Sequence, residues 1–124
     1  MAKLVSNYPF MEKEVKLEGK DTFYIGRLNS NDITIPNYAL FTKLSPSSQK
    51  LLLNDLTKVS RVHAKLTKKD DKWYLEDIGT QGLGSNFGTF VNDARLEVQK
   101  PYLLQNNDRI KFGPIECTFV EEQD

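Results

Sequence analysis

The fold is decided by Arg61-Val62-His63-Ala64-Lys65-Leu66-Thr67, then Lys68-Lys69-Asp70-Asp71-Lys72, then Trp73-Tyr74-Leu75-Glu76-Asp77. Val62, Ala64 and Leu66 alternate with Arg61, His63 and Lys65, the period of a strand that buries one face. The charged run after them has nothing to place in a core, and an aromatic-rich segment follows at once. Together they predict an antiparallel hairpin: a strand at 62–67, a polar tip at 68–72 and a second strand at 73–77.

The same signal recurs on both sides. Thr22–Ile25, Ile33–Ile35, Thr89–Val91, Arg109–Phe112 and Cys117–Val120 are equally brief and rich in β-branched or aromatic residues. Many short strands divided by polar turns predict an all-β sandwich or barrel. The 124 residues suit one domain, and 39% hydrophobic with 27% charged residues is ordinary globular composition.

One segment departs from this pattern. Ser45 is a good helix N-cap, Pro46 suits the first helical position, and Leu51, Leu52, Leu53 and Leu56 follow. A helix of two to three turns is expected inside an apolar insertion that spans about residues 37–57. Its leucines either pack onto the sandwich edge as a lid or present a surface for a partner, including a second copy.

Charge and composition exclude several functions. Seventeen Lys and Arg balance seventeen Asp and Glu, against the basic excess of a nucleic-acid binder or a polybasic membrane anchor. Cys117 is the single cysteine and His63 the single histidine. No disulfide within the chain, CxxC knuckle or multi-histidine metal site follows from them. No apolar run has the length of a signal h-region or a membrane span. The expectation is an intracellular module without metal, cofactor, nucleic-acid or membrane partners. The zero also hides a local bias: Lys58, Arg61, Lys65, Lys68 and Lys69 crowd residues 57–69, where no acidic residue stands.

Two catalytic readings fail. Gly79-Thr80-Gln81-Gly82-Leu83-Gly84-Ser85-Asn86-Phe87-Gly88 lacks the lysine of a P-loop, and its spacing is one residue too long for GxGxxG. Ser60 and His63 could form a nucleophile and base, but positions three apart on a strand face opposite ways unless the chain bends. No GxSxG elbow accompanies them. No enzyme activity is expected.

Four motifs in order nevertheless resemble the forkhead-associated (FHA) domain family. They are Gly26-Arg27 leading to Asn31-Asp32, Ser60-Arg61-Val62-His63-Ala64, Asp77-Ile78-Gly79-Thr80 with Gly88-Thr89-Phe90-Val91-Asn92, and Asn107-Asp108-Arg109-Ile110-Lys111-Phe112-Gly113. The resemblance runs from about residue 22 to 120. It implies a single domain over 1–124, with a core from about 14 to 120. The implied fold is an eleven-stranded β-sandwich, its helical insertion close to the binding face.

The resemblance further implies loops at one end that bind a threonine-phosphorylated peptide or protein. Arg27, Ser60 and Arg61 are its expected phosphate contacts. Ser85 and Asn86 join them if the Ser85-Asn86-Phe87-Gly88-Thr89 loop carries one inserted residue; read without a gap, Phe87 takes the asparagine's place. Lys58 stands where some members read an acidic side chain three residues after the phosphothreonine. Gly26, His63, Gly88 and Asn92 are expected to be structural. The rival reading is a scaffold that makes phosphate-independent or oligomeric contacts through the leucine-rich insertion.

Overall fold

Eleven strands and two helices order residues 1–122, the part of the chain that the computed structural model describes. The strands are β1 (Ala2–Val5), β2 (Glu14–Lys16), β3 (Thr22–Gly26), β4 (Ile33–Thr34), β5 (Ala64–Lys69), β6 (Lys72–Asp77), β7 (Thr89–Val91), β8 (Ala94–Arg95), β9 (Tyr102–Leu103), β10 (Arg109–Phe112) and β11 (Ile115–Glu121). The helices are α1 (Tyr38–Phe41) and α2 (Pro46–Leu56).

A six-stranded sheet runs β2-β1-β11-β10-β7-β8 and a five-stranded sheet runs β4-β3-β5-β6-β9. Neighbours are antiparallel except β3 and β4. Leu4, Val91, Ile110, Phe112 and Phe119 from one sheet face Phe23, Ile25, Leu66, Trp73 and Leu75 from the other, all buried. Burying each such side chain contributes about 1.5–3 kcal/mol, and this shared core is what holds the sheets together.

The 62–77 hairpin exists, with Lys69 opposite Lys72. Asp70 and Asp71 both take positive φ, 53° and 62°, the geometry whose twist matches a two-residue hairpin. Its first strand starts two residues later than expected, at Ala64. The alternation breaks at His63, which is fully buried although the period would expose it. Residues 60–63 form a loop there, so strand geometry no longer decides which way the imidazole points.

The core also starts earlier than residue 14. β1 pairs with β11 from Ala2 opposite Glu121 to Val5 opposite Thr118, and Ala2, Leu4 and Phe10 are buried. The insertion forms α2 as expected, with Ser45 accepting from the Ser48 N–H at 3.2 Å. Its leucines divide: Leu56 is buried and Leu52 packs against the core, whereas Leu51 is 82% and Leu53 48% exposed. Among the described residues no helix is long and apolar enough to cross a membrane.

Candidate functional site

Because β3 and β6 both run antiparallel to β5, the ends of β3 and β6 and the start of β5 fall at one end of the sandwich. The β3–β4, α2–β5 and β6–β7 loops therefore meet there. The period of β6 also turns Asp77 inward at that end, where it is 1% exposed. A buried carboxylate must be hydrogen-bonded. Ser85 satisfies it twice, donating its N–H to Oδ1 at 2.7 Å and its hydroxyl to Oδ2 at 2.9 Å. The Ser85 Oγ in turn accepts the Gly88 N–H at 3.0 Å. The one hydroxyl proton of Ser85 is thus committed to Asp77. In this arrangement Ser85, expected as a phosphate contact, ties the loop to Asp77.

Ser60 is the opposite case. Its Oγ accepts the Asn86 N–H at 3.1 Å, which leaves the hydroxyl proton to be donated elsewhere. The backbone N–H of Ser60 goes to Nδ1 of His63 at 3.0 Å, and Nε2 of His63 lies 2.9 Å from the Gly88 carbonyl. An N–H can only donate and a carbonyl can only accept, so the ring is neutral with its proton on Nε2. Burial holds its pKa below the ordinary 6.5. The bend does bring Ser60 and His63 together, but through the serine's backbone; no nucleophile–base pair results. His63 bonds two loops at once and sits edge-on to Phe112 with ring centroids 5.8 Å apart.

Arg27 follows Gly26 at the end of β3. A Cβ on Gly26 would stand 2.3 Å from the Arg61 carbonyl oxygen, so only glycine lets the two loops approach this closely. The loops are then laced by Arg27 N–H to Ser60 O and Leu28 N–H to Arg61 O, both 3.1 Å. Nε of Arg27 donates to the Val59 carbonyl at 2.5 Å. That bond orients the guanidinium and leaves its terminal nitrogens without a protein partner among the described residues. The Arg61 side chain is exposed at the rim.

These loops enclose a depression of about 700 Å³ lined by Arg27, Ser60, Arg61, Ser85 and Asn86. All five expected contacts meet in one cavity, although Ser85 only frames it. Two guanidinium groups and no carboxylate line it. Such a site suits a compact anion bound through charge-assisted hydrogen bonds, which are about twice as strong as neutral ones.

The sequence reading missed Thr57, Thr80, Gln81, Leu83 and Gly84 as lining residues. Thr80, inside the quoted Asp77–Thr80 motif, was the one with a legible signal; its Oγ1 accepts the Val62 N–H at 3.2 Å. The insertion borders the cavity as expected, through Thr57 and through the Tyr38 hydroxyl, which donates to the Arg27 carbonyl at 2.5 Å.

Lys58 lies outside the lining, with Nζ 5.9 Å from the centroid of the half-exposed Phe87 ring. Asn86, not Phe87, faces the cavity. Asn92 sits in the β7–β8 turn, accepting from the Arg109 N–H at 2.9 Å and donating to Asp108 at 3.0 Å. It too lies outside the cavity lining.

A model of the FHA domain matches residues 23–113. Among curated proteins, the DNA damage response protein kinase DUN1 of Saccharomyces cerevisiae is 32% identical over 94% of this chain and 19% of its own length. Nibrin of Danio rerio is 38% identical over 60% of this chain and 8% of its own length. The chain thus spans about a fifth or less of these relatives. Among solved structures, the N-terminal FHA domain of S. cerevisiae Rad53p, in complex with a phosphothreonine peptide, superposes with a TM-score of 0.71. That match covers 98% of this chain and 93% of the other at 15% identity. With the family model spanning strands of both sheets, this chain belongs to the FHA domain family.

Proposed function

We propose that the cavity binds a phosphothreonine peptide. In this reading residues 1–124 act as one phosphorylation-dependent interaction module inside cells, and the chain has no catalytic role. The observation that carries the proposal is the pairing of two unsatisfied donors, the terminal guanidinium nitrogens of Arg27 and the hydroxyl proton of Ser60, in a cavity lined by no carboxylate.

A phosphothreonine carries about −1.5 to −2 charges and three strong acceptor oxygens. Arg27 supplies a planar fork, Ser60 a neutral donor, and Arg61 long-range attraction at the rim. Hydrogen bonds to a charged group contribute roughly 1.5–3 kcal/mol each, so two or three would supply a large share of a micromolar affinity, about −8 kcal/mol. In this reading Asn86, whose backbone N–H goes to Ser60 Oγ, bonds the peptide main chain.

Calorimetry with a degenerate phosphothreonine peptide library tests this. Phosphorylated peptide is expected to bind, the unphosphorylated form to fail, and Arg27→Ala to abolish the signal. Partner binding that survives Arg27→Ala would replace this reading by the scaffold one, which the exposure of Leu51 and Leu53 on α2 favours. In that case Leu51→Glu would be expected to dissociate an oligomer in sedimentation.

A further inference from the structure

β3 ends at Gly26, and Leu28, Asn29 and Ser30 beyond it are exposed, so the strand alone does not fix Arg27. The helical insertion meets that residue from both of its ends. From α1, the Tyr38 hydroxyl donates to the Arg27 carbonyl at 2.5 Å. Beyond α2 the chain runs through Thr57 and Lys58 to Val59, whose carbonyl accepts Arg27 Nε at 2.5 Å. Val59 is fully buried, and its own N–H returns to the Leu56 carbonyl at 3.1 Å. α1 is a single turn with no fully buried residue, too short to be stable by itself. The Asn37 N–H ties it to the Phe10 carbonyl at 2.8 Å, and the Asn37 side chain caps it by accepting the Leu40 N–H at 3.1 Å. The peptide group between Arg27 and Leu28 is thereby pinned at both poles, its carbonyl by Tyr38 and its N–H by the Arg61 carbonyl at 3.1 Å. Tyr38 is 38% exposed, so water can serve both groups if its bond is lost and the fold gains little from it. What the bond fixes is direction.

We propose that Tyr38 is a positioning residue, through which the insertion aims the Arg27 guanidinium at the phosphate. The inference rests on the phosphopeptide reading above. Tyr38 stands outside the cavity lining and acts through Arg27. Paired contact between a planar fork and phosphate oxygens depends on geometry as well as charge, so a peptide plane free to rock would swing the fork off its target. A lysine at this position, a point charge on a flexible stem, has no such need of direction. The insertion is then a working part of the binding end and not only a cover for the sandwich edge.

Calorimetry with one phosphothreonine peptide, on wild type, Tyr38→Phe, Arg27→Lys and the double variant, tests this. Tyr38→Phe is expected to weaken binding about three- to tenfold, the net worth of one hydrogen bond, with a urea midpoint close to that of wild type. In the Arg27→Lys background the same change is expected to weaken it less than about twofold, because the two positions are coupled. If Arg27→Lys binds too weakly to measure, exchange of the Arg27 Nε–H with water in the free proteins, followed by NMR, decides the matter. Faster exchange in Tyr38→Phe than in wild type supports the inference, and equal rates overturn it. Unchanged affinity in Tyr38→Phe, or equal losses in the two backgrounds, also overturns it and leaves the phosphate reading standing. If wild type binds no phosphothreonine peptide, both fall together.

Discussion

Ser60 donates its backbone N–H to Nδ1 of His63, so the loop that carries the proposed phosphate donor hangs on an unprotonated ring nitrogen. A proton there would turn the acceptor into a donor and leave two donors facing each other. Burial opposes that proton and keeps the folded-state pKa below 6.5. The unfolded chain takes it up near pH 6.5. Stability conferred by the neutral ring is therefore complete above that pH, falls as pH drops through it, and levels off only below the folded-state pKa. The slope is at most about 1.4 kcal/mol per pH unit. His63 is the chain's single histidine, so urea midpoints between pH 7.5 and 5.5 should decline in wild type and stay nearly flat in His63→Asn. Parallel slopes in the two proteins would refute the assignment.

The two cavity serines should separate stability from binding. Ser85→Ala deprives the buried Asp77 carboxylate of a hydroxyl donor, and the expected cost is about 1–3 kcal/mol in unfolding free energy. Ser60→Ala removes the hydroxyl donor proposed for the phosphate. Phosphopeptide affinity should fall about ten- to hundredfold, with a stability loss of about 1 kcal/mol from the bond to Asn86. Denaturation and calorimetry on both variants would show it; a reversed pattern would return Ser85 to the phosphate.

Gly26→Ala places a methyl group 2.3 Å from the Arg61 carbonyl oxygen. The backbone of two loops must part to admit it, and overpacking of this kind costs about 1–3 kcal/mol or more. Weaker peptide binding is expected alongside the lower melting temperature, because Arg27 and Ser60 move apart. A variant as stable as wild type would mean that the loops separate freely.

Lys58 should confer a mild preference for Asp or Glu three residues after the phosphothreonine. Its ammonium, lying over Phe87, is solvent-screened, so an effect of about two- to fivefold is expected. Peptide arrays on wild type and Lys58→Ala measure it directly, and identical profiles would remove Lys58 from recognition.

The period-two segments were readable because each strand carries its own inward and outward faces: Ala64 and Leu66 are buried, as are Trp73 and Leu75. β8 and β9 have two residues each, none of them buried, and so leave no alternation to read. β1 depends on a partner more than a hundred residues away, a non-local pairing that no short window contains. At the site, residue types and order were enough to gather Arg27, Ser60, Arg61 and Asn86 in one cavity. They could not reveal that the proton of Ser85 is already spent, because that depends on which way Asp77 faces at the end of β6. Leu83 was hidden for a related reason: a leucine in a glycine-rich loop looks the same whether its tip points to solvent or over a cavity.

The bonds that lace the cavity loops also bear on the kinetics of capture. Ser60 alone touches three of them, through its carbonyl to Arg27, its hydroxyl to Asn86 and its N–H to His63. A ligand arriving there meets a receptor whose walls are already ordered, so little of its binding energy is consumed in freezing protein side chains. Tuning among related peptides should then appear mainly in dissociation rates. The same lacing couples neighbouring positions: Ser60→Ala breaks the bond to Asn86 along with the ligand donor, so its effects will not add to those of changes at Asn86.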